Sequence, residues 1–194
     1  MKRFFAFFLL VLSFKNICAQ LQVPFDSSTQ KVSYKGIIEM QGVSKAVIFS
    51  KSIDWVTGLH VKGTGNSIEI QDLELGKILT KDTFHIMNQY GADVIVYYTL
   101  VIEVKEGKSR IKFSDLYSKA DIGKSTFIGS NFDGIWSGGT FEDIIIAING
   151  EWKKKKMMRE YWTHLLTESD KKVNSYIDGY LSYVERASIN KDDW

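Results

Sequence analysis

The sequence is poor in several things on which common functions depend, and the poorest of these is cysteine, with one in 194 residues. That residue, Cys18, lies in a leader-like start, so a processed chain would hold none, which excludes disulfides, thiolate nucleophiles and thiolate metal centres. No apolar run after the first residues approaches the length of about 18 needed to cross a bilayer. No fixed-period repeat is visible, and no Gly-x-Ser-x-Gly elbow marks a hydrolase nucleophile. Net charge is also small, a formal +2. The leader carries Lys2, Arg3 and Lys15, so its removal turns that value to about −1 and leaves no strong positive field for nucleic acid.

What is present begins with the leader itself. A charged start is followed by the apolar run Phe4 to Phe14 and a short exit through Ile17-Cys18-Ala19. This is the layout of a secretory signal peptide, with cleavage expected between Ala19 and Gln20. Acylation of Cys18 is the competing expectation, but Lys15-Asn16-Ile17 lack the Leu and small residues of a lipobox. The destination expected is the periplasm, the outer envelope or the exterior.

Further on, hydrophobic periodicity sets the elements. Val32, Tyr34, Ile38 and Met40 alternate with polar residues over about 31 to 41, which predicts a strand. Gly42-Val43-Ser44 breaks it, and Ser44 caps a helix whose Ile48, Phe49, Ile53, Val56 and Leu59 share a stripe flanked by Trp55. Residues 63 to 66 should stop that helix. A strand over about 67 to 73, a turn near 74 to 76, and a strand with Ile78, Phe84 and Ile86 on one face follow. After a turn at 89 to 91, Val94, Val96, Tyr98, Leu100, Ile102 and Val104 make the clearest alternation. Glu106-Gly107 is expected to turn this strand into a fifth over 108 to 117, where Ile111 and Phe113 alternate with Arg110 and Lys112.

Residues 118 to 139, rich in Gly and Ser, predict a surface loop. Thr140 with Asp143 suggests a helix start, with a strand through Ile144, Ile145 and Ile148 as the alternative. Met158, Tyr161, Trp162, Leu165 and Leu166 predict a helix, and Thr167 with Asp170 a fresh cap for a second carrying Val173, Ile177, Tyr180, Leu181 and Val184. The expected organisation is a signal peptide over 1–19, sheet and first helix over 20–117, a glycine-rich insertion over 118–150, helices over 151–187 completing the same domain, and a frayed tail over 188–194. The fold class is α+β, an antiparallel curved sheet of about five strands with helices on one face in the order β-α-β-β-β-β-α.

Pro24-Phe25-Asp26, Lys31-Val32-Ser33-Tyr34, Gly42-Val43-Ser44-Lys45, Trp55 and the run from Tyr98 to Lys108 together resemble a family of secreted proteins of Gram-negative bacteria. Its domain is of unknown function with a TATA-binding-protein-like (TBP-like) fold, and the resemblance covers about residues 24 to 117. It implies fold and compartment. It brings no catalytic, cofactor or metal residues to this chain.

The remaining motifs point to binding rather than catalysis. Gly123-Lys124-Ser125-Thr126 resembles the end of a phosphate loop, but Ser118 stands where the pattern needs glycine, so no nucleotide or other cofactor is expected. Glu160, His164 and Glu168 share a helix face with ligand-type side chains, but a solvated polar ladder supporting the helix is the reading preferred, and no metal is expected. His60 and His85 have no neighbouring ligand spacing. Trp152 with Lys153, Lys154, Lys155 and Lys156 would suit anionic lipid headgroups, although lysines on the outer face of a helix are the plainer expectation.

Strand parity places Lys35, Ile37, Lys81, His85, Tyr97, Thr99, Arg110 and Lys112 on the face away from the helices. Lys81, Arg110 and Lys112 are expected on neighbouring strands with Tyr97 beside them. The function expected is that of a non-enzymatic exported accessory protein binding an envelope protein, a glycan or a small molecule there or through the 118–139 loop. The alternatives are a carrier holding an apolar ligand between helix and sheet, and a hydrolase. The leader yields a first test: intact-mass analysis of exported protein should show a chain starting at Gln20 without an acyl group, whereas a diacylated Cys18 would overturn the reading.

Overall fold

The computed structural model describes residues 23–26, 28–60, 68–87, 93–120, 138–150, 153 and 155–189. The leader with Ala19 and Gln20, the turns expected at 63–66 and 89–91, the 123–126 motif, Trp152, Lys154 and the end of the tail lie outside them. Short strands β1 (Phe25–Asp26) and β2 (Lys31–Val32) pair with each other. The main sheet holds β3 (Tyr34–Glu39), β4 (Ile68–Asp72), β5 (Lys77–Met87), β6 (Asp93–Lys105), β7 (Lys108–Ala120) and β8 (Gly139–Thr140). It is antiparallel in the order β3-β7-β6-β5-β4, with β8 added on β7. Three helices complete the fold: α1 (Lys45–His60), α2 (Phe141–Asn149) and α3 (Lys156–Ile189).

The alternating patterns become one buried face. Val94, Val96, Tyr98, Leu100, Ile102 and Val104 of β6 are all buried, as are Ile78, Phe84 and Ile86 of β5. At the β6–β7 turn Gly107 adopts φ +63°, a left-handed conformation that glycine accepts without a Cβ penalty. The turn also anchors α1: Gly107 N–H donates to Val43 O over 3.1 Å, and Glu106 Oε2 accepts from Lys45 N over 2.9 Å. Ser44 Oγ accepts from Val47 N, as its capping role requires.

Three expectations change. Residues 118–120 are strand rather than loop, because β7 contains a bulge: Thr99 faces Ser114 and Tyr97 faces Tyr117, so Asp115 and Leu116 together oppose Tyr98. Asp115 sits at φ +53°, and its carboxylate meets Lys31 Nζ at 2.6 Å. The extra residue reverses parity, burying Leu116 and Ser118 and turning Tyr117 outward, which hid the strand's end from a simple alternation. The far end of the expected loop is likewise strand, since Gly139 and Thr140 pair with Ser118 and Tyr117.

Residues 141–149 form a helix and not the alternative strand. Thr140 Oγ1 accepts from Asp143 N, and Glu142 Oε1 accepts from Val32 N, so the helix start is held from both sides. The two expected C-terminal helices are one helix of 34 residues. Thr167 does not cap; its hydroxyl donates to Thr163 O over 2.7 Å and stays within the helix. Met158, Tyr161, Trp162, Leu165, Leu166, Val173, Ile177, Tyr180 and Val184 form a continuous buried stripe.

That stripe lies close against the sheet at Gly36, where a Cβ would stand 2.5 Å from Ile177 Cγ2 and 3.1 Å from Ile111 Cγ2. All the helices that pack on the main sheet use its apolar face, so the parity of β6 decides which substitutions matter. Leu100→Ala and Ile102→Ala should each cost about 2 to 5 kcal/mol in urea melts, and Thr99→Ala far less. Equal losses at Leu100 and Thr99 would contradict a one-sided core.

Candidate functional site: an open sheet face and a cleft behind its edge

The six residues expected to form a binding face do share one side of the sheet, but not one cluster. Across the strands, Ile37, Arg110, Glu103 and Lys77 form one row, and Lys35, Lys112, Val101 and Leu79 the next. Ser114, Thr99 and Lys81 form a third, Tyr117, Tyr97 and Thr83 a fourth, and Lys119, Ile95 and His85 a fifth. Strand β6 therefore separates Lys81 from Arg110 and Lys112, which the sequence reading put on neighbouring strands. Tyr97 is six residues along β6 from Glu103, roughly 20 Å, so it does not stand beside Arg110.

The expected positive surface is also largely neutralised. Arg110 Nε donates to Glu103 Oε2 over 2.6 Å, with Nη2 joining the same oxygen. Lys81 Nζ lies 3.2 Å from Glu69, and His85 Nδ1 lies 2.6 Å from Asp93 Oδ2. Pairing of this kind between opposed strands stabilises the sheet modestly. What the face offers instead is aromatic: Tyr97 and Tyr117, each 40% exposed, with ring centroids 6.2 Å apart. The bulge at Asp115 brings Tyr117 outward, and alternation alone gives no sign of it.

A second feature lies on the opposite side of the sheet. On the buried side, β5 carries Asp82 in phase with Ile78, Phe84 and Ile86, and its side chain is buried. Asp82 lies directly opposite Tyr98, and its Oδ1 accepts from Thr83 N over 2.5 Å. These groups open into a cleft of about 300 Å³ lined by Gly58, Leu59, Asp82, Thr83, Phe84, His85, Tyr98, Lys172 and Tyr176. The end of α1, strand β5 and one turn of α3 thus meet there. A carboxylate at a core-facing position of a strand was the available signal, because an aspartate is seldom buried without a specific partner.

Burial, then the Asp82 charge, raises the Tyr98 phenol far above its usual value of 10.0, and the same two causes raise Tyr176. Along the exposed side of α3, Glu168 is bound to Lys171 at 2.7 Å, which holds its carboxyl low, and Glu160 lies 3.8 Å from Lys156. Among the described residues, no group of three or more His, Asp or Glu is placed to hold a metal ion. Lys153, Lys155 and Lys156 are exposed, and no helix among the described residues is long and apolar enough to cross a membrane.

Residues 34–119 match the family described as a domain of unknown function (DUF4468) with TBP-like fold. No curated protein matches the chain. Among solved structures, a TBP-like protein from Parabacteroides distasonis is 17% identical, with a TM-score of 0.55 over 87% of this chain and 97% of its own. A DUF4468 family protein from Bacteroides ovatus is 15% identical, with a TM-score of 0.58 over 89% of this chain and 93% of its own. At these identities the likeness is one of fold. The fold is thus TBP-like and α+β.

The buried phenols set an alkaline limit. Above about pH 10 the unfolded chain loses phenolic protons that Tyr98 and Tyr176 keep in the native state, so the unfolded state binds fewer protons and stability falls as pH rises. Below that pH both states are protonated and the tyrosine contribution is flat. Melts followed by tyrosinate absorbance should show this fall, and Tyr98→Phe should make it shallower; an unchanged slope would mean that Tyr98 is not the group held neutral.

Proposed function

We propose that this chain, whose residues 34–119 match the domain family of unknown function with a TBP-like fold, is an exported, non-catalytic protein that binds a partner protein of the cell envelope through the open face of its sheet. Export is supported by the charged, apolar and small-residue layout of residues 1–19. Binding is supported by one observation above the others: the paired, half-exposed rings of Tyr97 and Tyr117 on a face that no helix among the described residues covers. Tyrosines give a large contact area at low entropic cost and a hydroxyl for partner hydrogen bonds, so they commonly act as interface anchors. The charged groups nearer to them, Lys81 with Glu69 and His85 with Asp93, act as a rim that fixes register rather than as the adhesive part.

The carrier reading finds a cleft between helix and sheet, but one whose floor holds a carboxylate. An apolar lipid there would lie against a polar floor that gives its chain nothing.

Tyr97→Ala with Tyr117→Ala should change stability by no more than about 1 kcal/mol, because both rings are half exposed. Cross-linking and affinity purification of the exported protein from its host should then lose the envelope protein retrieved by the parent chain. A double variant that melts normally and retains every partner would overturn the face as the binding site. Retention of a glycan in place of a protein would overturn the partner class.

A further inference from the structure

The start of α3 gathers cations without gathering anions. Lys31, Lys35, Lys108 and Arg110 each sit against a carboxylate on the sheet side of the molecule. Lys153, Lys155 and Lys156 are exposed, and among the described residues their one ion pair is Lys156 with Glu160 at 3.8 Å. The first turn of α3 holds no acid, and Lys155, whose carbonyl accepts from Arg159 N over 3.0 Å, stands at the cap position. A lysine there offers no acceptor to the free N–H groups and adds its charge to the positive end of the helix dipole. Helix stability therefore does not account for the cluster.

Two aliphatic side chains accompany it. Ile146 of α2 is 69% exposed and Met157 of α3 51%, while their neighbours Ile144 and Met158 are buried. The stretch between them is tied at several points: Gly150 N–H donates to Ile146 O over 2.9 Å, Lys153 N–H to Gly150 O over 3.2 Å, and Arg159 Nη1 to Lys153 O over 3.4 Å. These bonds keep the basic and apolar groups at one corner of the helix layer. The acids of α2 stand at its other end, where Glu142 accepts from Val32 N and Asp143 from the Thr140 hydroxyl. A soluble polyanion would neutralise the lysines and leave Ile146 and Met157 in water. A bilayer of anionic lipid meets both, with phosphates at the level of the ammonium groups and hydrocarbon beneath them. We propose that Ile146, Lys153, Lys155, Lys156 and Met157 dock this protein on a membrane surface rich in anionic phospholipid, leaving the Tyr97 and Tyr117 face on the other side of the sheet free for its partner.

Charge and apolar contact can be tested separately. In cosedimentation, the exported chain should bind vesicles of phosphatidylglycerol and phosphatidylcholine in equal parts at least about tenfold tighter than vesicles of phosphatidylcholine alone. Lys153→Glu, Lys155→Glu and Lys156→Glu together should remove that preference without lowering the melting temperature, because acids suit the start of a helix. Ile146→Ser with Met157→Ser should weaken binding to the anionic vesicles severalfold at unchanged charge, and should leave binding to heparin, a soluble polyanion, as it is in the parent chain. All five side chains are exposed, so both variants remain folded. No preference for anionic vesicles, or a triple variant that keeps it, would overturn the proposal. An apolar variant that binds the vesicles as tightly as the parent would also overturn it, and would point to a soluble acidic partner instead.

Discussion

The hydroxyl of Tyr180 is the point on which the two layers of this fold depend. Tyr180 is fully buried, with its oxygen 2.9 Å from Ser52 Oγ on α1 and in short contact with Ser109 Oγ on β7, while Ser52 also donates to Ile48 O over 2.7 Å. One side chain of α3 thus joins the other large helix and the start of β7 through polar atoms that have no access to water. Removing that hydroxyl would leave Ser52 with its bond to Ile48 O alone and Ser109 with a long one to Glu103 O, and a buried polar group that loses a partner costs about 1 to 3 kcal/mol. Trp55 packs edge-on against the same ring at 5.2 Å, so the polar junction is sealed by apolar contact.

Because α3 is a single helix, fixing Tyr180 also fixes what lies one and two turns before it. Tyr176 and Lys172 are four and eight residues earlier on the same helix, and they are the groups that α3 contributes to the Asp82 cleft. Gly36 allows the helix its close approach at Ile177, between these positions. The geometry of the cleft therefore follows from helix docking rather than from a dedicated loop. Sites carried on packed elements hold their geometry more closely than sites carried on loops.

The strands and the first helix were legible because each has an uninterrupted period: β6 alternates over its whole length, and α1 carries its stripe from Ile48 to Leu59. The errors lie where a local signal competes with a longer one. Thr167 with Asp170 reads as a cap, yet the buried stripe runs through it from Leu166 by way of Ser169 to Val173, and the gain from burying that stripe outweighs the modest cost of a mid-helix threonine. At Asp115 the bulge shifts the phase by one residue, so a strict alternation ends the strand too early and leaves Tyr117 on the wrong face. Charge pairing was illegible for a different reason. Glu103 and Arg110 become partners through register, which a list of outward-facing cations does not contain.

These two kinds of error meet at the open face. Without the bulge, Tyr117 would fall in the buried set with Ile111 and Phe113, and Tyr97 would be a lone ring among ion pairs. With it, the two rings stand opposite one another while Leu116 takes the buried position. The left-handed residue that makes this possible is an aspartate, a type that tolerates φ above zero better than most, and the Lys31 ammonium both binds it and holds its carboxyl below the usual range. The small β1–β2 sheet, from which Lys31 extends, thus acts at a distance on the face proposed for binding: it secures the bulge that turns Tyr117 outward.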